Sequence, residues 1–265
     1  MNGAFYYAAW RHDGRHRDSH DEPIRGWRDP LTPADVVIDL AEMEYALGPE
    51  AVVIPAVWAD TMGAQRMILD ASPPTGRVSA LLEEPWTDGA LLRLDSLWEM
   101  TKGKRRAKWH RSKSGDGSSK PTLLVYNKPD GDDGRSQIQR VLSANRGRFF
   151  LAFRSHQNSL PTRRAFPTVE QWFGYSAAEP AVYIPATETY EGCITLGAQF
   201  HWWEEPEPRF DWSPEVWRWR CEWVTGFKGW KLVYWDEEGE GSWVAPTKGR
   251  GAERMVVLHE TWGLV

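Results

Sequence analysis

Residues 193–203 read Cys193-Ile-Thr-Leu-Gly-Ala-Gln-Phe-His-Trp-Trp203. Ile194, Leu196, Ala198, Phe200 and Trp202 alternate with Thr195, Gly197, Gln199 and His201. That period of two predicts a strand with one face on a core and the other toward solvent. Upstream, Val182 to Ile184 forms a shorter apolar run, joined to it by the Pro185 to Gly192 connection. Downstream, Trp217, Trp219, Cys221 and Trp223 alternate with Arg218, Arg220 and Glu222. The same period predicts a strand with an indole face and an ionic face. A Gly226 to Gly229 turn leads on into Lys231 to Trp235, completing a predicted hairpin.

The rest of the chain breaks into short pieces. Val52 to Trp58, Gln65 to Leu69, Arg77 to Leu82 and Ala90 to Trp98 are apolar runs separated by Gly, Pro, Asp and Ser, and read as strands. Thr122 to Tyr126 and Phe149 to Phe153 read the same way, with one or two helical turns between them at Ser136 to Leu142. Thr32-Pro33-Ala34-Asp35 predicts a helix start, with the helix running from Asp35 to Leu47 and stopped by Gly48-Pro49. The fold class expected is therefore mainly β, or α+β with few short helices. A Trp-rich C-terminal β extension is expected to follow the core.

Three segments are expected: an N-terminal arm (1–34) punctuated by Gly and Pro, a β-rich core (35–205), and a Trp-rich C-terminal unit (206–265). Ten of the 17 tryptophans fall between Trp202 and Trp262, which makes Trp217, Trp219, Trp223 and Trp235 candidate interface anchors. A sugar-stacking platform is the other use of so many indoles.

The net charge of −5 conceals segregation. Residues 1–100 carry 8 basic and 17 acidic groups, whereas residues 101–164 carry 16 and 4. Lys102, Lys104, Arg105, Arg106, Lys108, Arg111 and Lys113 surround Trp109, a pattern suited to RNA, DNA or another anionic partner. No run reaches the roughly 18–20 apolar residues of a membrane helix, so no membrane partner is expected. With only Cys193 and Cys221, there is no disulfide lattice, and a reducing compartment is expected.

Signatures of catalysis are sparse. No Gly-x-Ser-x-Gly elbow, phosphate loop, His-Glu-x-x-His or Cys-x-x-Cys occurs, so the reading leans away from an enzyme, with no catalytic residue and no cofactor expected. Paired acids such as Glu83/Glu84 and Glu237/Glu238 read as solvated turns. His12, His16 and His20 recur every four residues, but Gly14 and the weak helix propensity of that segment argue against a shared metal face. Lys128-Pro129-Asp130-Gly131 resembles the Lys-x-Asp-Gly nucleophile motif of ATP-dependent nucleic-acid ligases and capping enzymes. Glu191-Gly192 follows after only 63 residues, with no intermediate acidic motif, and a turn explains Pro-Asp-Gly equally well.

Taken whole, Trp172 to Trp203 comprises an aromatic-rich loop, Ala181-Val-Tyr-Ile-Pro185, an acidic turn and Gly192 to Trp202. It resembles the closing strands of jelly-roll capsid proteins of small viruses. The resemblance implies a core that is a two-sheet antiparallel β-sandwich of jelly-roll type, and a structural component of a viral or phage-like particle, located in the virion and assembled in the host cytoplasm. Its partners would be copies of itself or other particle subunits. The alternatives are a nucleic-acid-binding accessory protein using residues 102–113, and a carbohydrate-binding module or nucleotidyl-transferring enzyme.

Overall fold

The structure, a computed structural model, describes residues 1–7, 31–57, 61–128, 131–156, 160–176, 178–198, 213–236 and 244–263. Its strands are β1 (Asn2–Tyr6), β2 (Val52–Val57), β3 (Leu81–Leu82), β4 (Arg111–Lys113), β5 (Ser119–Val125), β6 (Phe150–Ser155), β7 (Gln171–Gly174), β8 (Ala181–Ile184), β9 (Cys193–Leu196) and β10 (Trp230–Tyr234). The helices between them are α1 (Pro33–Leu47), α2 (Met62–Ala71), α3 (Asp88–Met100), α4 (Gly131–Asn145), α5 (Leu160–Ala165), α6 (Pro214–Trp223) and α7 (Glu253–Leu258). A 3-10 helix (Gly103–Lys108) precedes β4, and a π-turn (His259–Gly263) follows α7.

The strands run β7-β6-β5-β3-β2-β1-β10-β9-β8, with β4 paired to β5 off this path. Every pairing is parallel except β8/β9 and β4/β5. Because β1 lies between β2 and β10, the sheet curls on itself and leaves one seam, between β7 and β9. Side chains bridge it: the Thr195 hydroxyl donates to the Gly174 carbonyl at 2.6 Å. The Gln171 amide donates to Glu191 O at 3.0 Å and accepts from Glu191 N at 3.1 Å. The result is a nearly closed α/β barrel of eight parallel strands. Gly174 is required at the seam, since a Cβ there would lie 2.6 Å from Val182 Cγ1.

This architecture overturns the sandwich expectation. Strands buried on both faces read as near-continuous apolar runs, and β2 (Val-Val-Ile-Pro-Ala-Val) is buried at every position. In β9 the period of two is misleading, because Thr195 is only 1% exposed and faces the barrel rather than solvent. β8 and β9 do pair antiparallel, with Ala181 opposite Leu196, but β9 pairs parallel with β10 on its other side. The jelly-roll resemblance therefore falls, and the particle role and virion location that rested on it fall too.

Several predicted strands are helices. Gln65 to Leu69 lies in α2 and Ala90 to Trp98 in α3. The Trp217–Trp223 strand is α6, capped by the Ser213 hydroxyl with Pro214 in the first turn. Trp217 and Cys221, four residues apart, form the buried face, bonded to Arg254 of α7 and to Trp262 beyond it, and Trp219 and Trp223 face outward. The predicted hairpin is thus a helix followed by a parallel strand. The helix expected at 35–47 is present as α1, held by a capping box in which Thr32 and Asp35 bond each other's main-chain N–H. As for the segment boundaries, β1 precedes residue 34 and β10 follows residue 205, yet the two are neighbours in one sheet.

Candidate active site at the C-terminal mouth of the barrel

Parallel barrels present chemistry at the C-terminal ends of their strands, because side chains from many strands converge there while the helices hold the walls. In this chain the inward faces converge as rings. Phe5 lies 5.0 Å from Tyr175 and 5.7 Å from Tyr234 between centroids. Tyr175 in turn meets Tyr234 and Tyr126 edge-on, each at 5.0 Å. The Tyr7 and Tyr175 hydroxyls hydrogen-bond each other. The Arg154 guanidinium sits 4.4 Å from the Tyr126 ring and donates to the Tyr175 carbonyl at 3.0 Å. Asn127 locks β5 to β6 here, accepting from Arg154 N at 2.8 Å and donating to Arg154 O at 3.1 Å.

Two buried carboxyl groups follow strands on the faces that carry these rings. Asp236 follows β10 on the same face as Tyr234, is 1% exposed, and accepts the Tyr7 main-chain N–H at 2.7 Å. Glu83 follows β3. Leu81 is in register with Leu124, which places Glu83 on the face that carries Tyr126. Glu83 is 5% exposed, which corrects its reading as a solvated turn. Its carbonyl is held by buried Arg93 at 2.9 Å. The next residue, Glu84, takes a φ of 49°, in the left-handed region. A non-glycine residue there costs roughly 1–3 kcal/mol and persists only where its surroundings fix it. At the outer rim, His156 Nε2 lies 2.7 Å from Glu179 Oε1, and Arg163 donates to the Ser155 hydroxyl and the His156 carbonyl.

A cavity of about 780 Å³ opens at the opposite end of the barrel, walled in part by His110, Phe150, Glu170, Glu191 and Trp230. It lies at the strand N-termini, where side chains of parallel barrels serve stability. Burial pushes the His110 imidazole down to about 4.

The residues singled out from sequence lie elsewhere. Trp109 is 1% exposed and donates its indole N–H to the Met100 carbonyl. Arg105 forms a two-pronged ion pair with Asp70 at 2.8 Å, which holds that carboxyl below its ordinary range. Lys108 bonds the Asp70 carbonyl, Lys102 pairs with Glu99, and Arg111 bonds Ser119. Lys104, Arg106 and Lys113 are exposed. This group borders the ends of α2 and α3, before β5, and so sits away from the mouth. Of the candidate interface tryptophans, Trp217 and Trp235 are fully buried and Trp219 and Trp223 are exposed. Lys128 pairs with Asp133 at 2.7 Å on the surface. Pro129, Asp130, His12, His16, His20, Glu237 and Glu238 fall outside the described residues. Among those described, no group of three potential metal ligands forms, and no helix is long and apolar enough to cross a membrane.

Sequence reasoning misread Glu83 and missed Tyr7, Tyr126, Arg154, Tyr175, Tyr234 and Asp236. The available signal was recurrence: Leu81-Leu82-Glu83, Leu124-Val-Tyr-Asn-Lys128 and Leu232-Val-Tyr-Trp-Asp236 each end an apolar run in polar residues, as the strands of a barrel do.

No family model and no curated protein sequence matches the chain. Solved structures do. A GH99 endo-α-mannosidase from Bacteroides thetaiotaomicron, in complex with Bis-Tris-propane, superposes with a TM-score of 0.65 at 14% identity, over 98% of this chain and 95% of that one. A further structure of that bacterium's GH99 endo-α-mannosidase gives the same score and identity, over 98% and 96%. At this identity the likeness is one of fold: the chain shares the barrel of these glycoside hydrolases along nearly its whole length.

Proposed function

We propose that the chain is a carbohydrate-active enzyme that hydrolyses glycosidic bonds at the C-terminal mouth of its barrel. The observation that carries this reading is that two buried carboxyl groups, Glu83 and Asp236, follow strands whose C-terminal ends carry a cluster of tyrosine rings. Glycoside hydrolysis generally needs two carboxyl groups flanking the bond and an apolar, ring-lined wall against the sugar. The barrel shared with the endo-α-mannosidases supports the reading and makes α-mannosides the first substrates to try.

In this reading Glu83 delivers a proton to the glycosidic oxygen as the bond to the anomeric carbon breaks. Asp236, accepting the Tyr7 N–H, is the carboxylate that faces the positive charge developing on the sugar ring. Water supplies the hydroxyl that ends on the anomeric carbon and the proton that restores Glu83. The paired Tyr7 and Tyr175 hydroxyls and Arg154 orient the sugar. Release of reducing sugar from α-mannosides, and its loss in Glu83→Gln and Asp236→Asn, tests the reading.

A further inference from the structure

Beside the mouth, the turn between β3 and α3 carries a surface indole. Trp86 is 46% exposed and forms one wall of a cavity of about 330 Å³ completed by Lys128, Asp133, Ser136, Gln137 and Arg140. Lys128 lies at the C-terminal end of β5 and Trp86 three residues beyond Glu83, so the cavity shares the face of the barrel that bears the two carboxyl groups.

The turn that carries the indole is held. Thr87 N and Oγ1 both donate to the Glu84 carbonyl, at 3.0 and 3.1 Å, closing the turn. Arg140, reaching over from α4, donates to the carbonyls of Trp86 at 3.2 Å and Thr87 at 3.3 Å. It also pairs with Asp88. An exposed aromatic ring on a fixed backbone offers a flat apolar face to a ligand.

The opposite wall is polar. Among the described residues the Lys128 and Asp133 side chains pair with each other at a solvent-exposed site, an arrangement worth little and easily redirected. Gln137 accepts the Lys128 N–H through its carbonyl oxygen, and neither its amide donors nor the Ser136 hydroxyl has a partner among the described residues. One flat apolar face opposed by donors and an acceptor of both charges matches a pyranose ring, with its C–H face and its ring of hydroxyls. It matches an anion poorly, because each cation already faces an aspartate.

We infer that this cavity is a second sugar subsite. Trp86 stacks on a pyranose one or more units away from the bond cleaved beside Glu83, and the enzyme's substrates are oligosaccharides rather than simple monosaccharide glycosides. The inference rests on the proposed glycoside chemistry, and binding separates the two. In Glu83→Gln protein, titrated calorimetrically, α-mannotetraose is expected to bind more tightly than methyl α-mannoside. Adding Trp86→Ala should weaken the tetraose about tenfold, the loss of one stacked face, while adding Trp86→Phe, which keeps a ring, costs under about threefold. If Trp86→Ala leaves tetraose affinity unchanged, or if the tetraose does not bind, the subsite is overturned, whether or not the wild-type protein hydrolyses mannosides. Trp86-dependent binding in a protein that cleaves no glycoside would uphold the subsite and overturn the catalytic reading.

Discussion

The main-chain N–H of Tyr7 donates to the Asp236 carboxylate at 2.7 Å, tying the end of the first barrel strand to the end of the last. The bond gives one carboxyl group two duties: it closes the β1/β10 junction at the mouth and presents a fixed acceptor beside the tyrosine rings. Asp236→Asn keeps an acceptor oxygen and is expected to unfold within about 1 kcal/mol of wild type. Asp236→Ala, which strands a buried N–H, should cost about 1–3 kcal/mol. Urea unfolding of the two variants separates the duties.

The seam between β7 and β9 makes the barrel sensitive at one glycine. Gly174→Ala would press a methyl group to 2.6 Å from Val182 Cγ1 and is expected to destabilise by about 1–3 kcal/mol. Val182→Ala should restore part of that loss. Additive losses in the double variant would show that the close approach is not the cause.

The indoles of α6 divide sharply. Trp217 is fully buried and donates its N–H to the Arg254 carbonyl at 3.1 Å, so Trp217→Ala should cost about 3–5 kcal/mol. Trp219 is 64% exposed, and Trp219→Ala should stay within about 0.5 kcal/mol. Thermal denaturation of the pair checks this division between wall and surface.

Burial holds the folded-state pKa of His110 at about 4, below its ordinary 6.5. Below pH 6.5 the unfolded chain takes up a proton that the native imidazole refuses. Stability therefore falls as pH drops from about 6.5 toward 4, by about 1–3 kcal/mol, and is unaffected by this group above that window. Unfolding at pH 7 and pH 5 should show a smaller difference in His110→Gln than in wild type.

The elements legible in the sequence were those whose local signals agree with their surroundings. The Thr32–Asp35 capping box and the Gly48 stop predict α1, and short apolar runs rich in β-branched or aromatic residues predict β2, β5 and β6. Misreadings came where burial on both faces removes the contrast between core and solvent. Thr195 in β9 looks solvent-facing by type, yet it closes the seam of the barrel. Trp217 and Cys221 fit a strand period and a helix period equally, and Ser213-Pro214 was the cue for the helix. The mouth was illegible for a related reason. Glu83 and Asp236 are 153 positions apart, and only the wrapping of parallel strands brings them to one end of the barrel. The basic stretch, by contrast, stands out by composition, while Arg105 and Lys108 bond Asp70 and its indole is core.

The most direct test is release of reducing sugar from α-mannotetraose by wild-type, Glu83→Gln and Asp236→Asn proteins, each first shown to be folded. Hydrolysis by wild type that falls at least about a thousandfold in both variants is the predicted result. Undiminished hydrolysis in both variants would contradict the placement of the chemistry at the mouth, and a folded wild type that cleaves no glycoside would contradict the enzymatic reading itself.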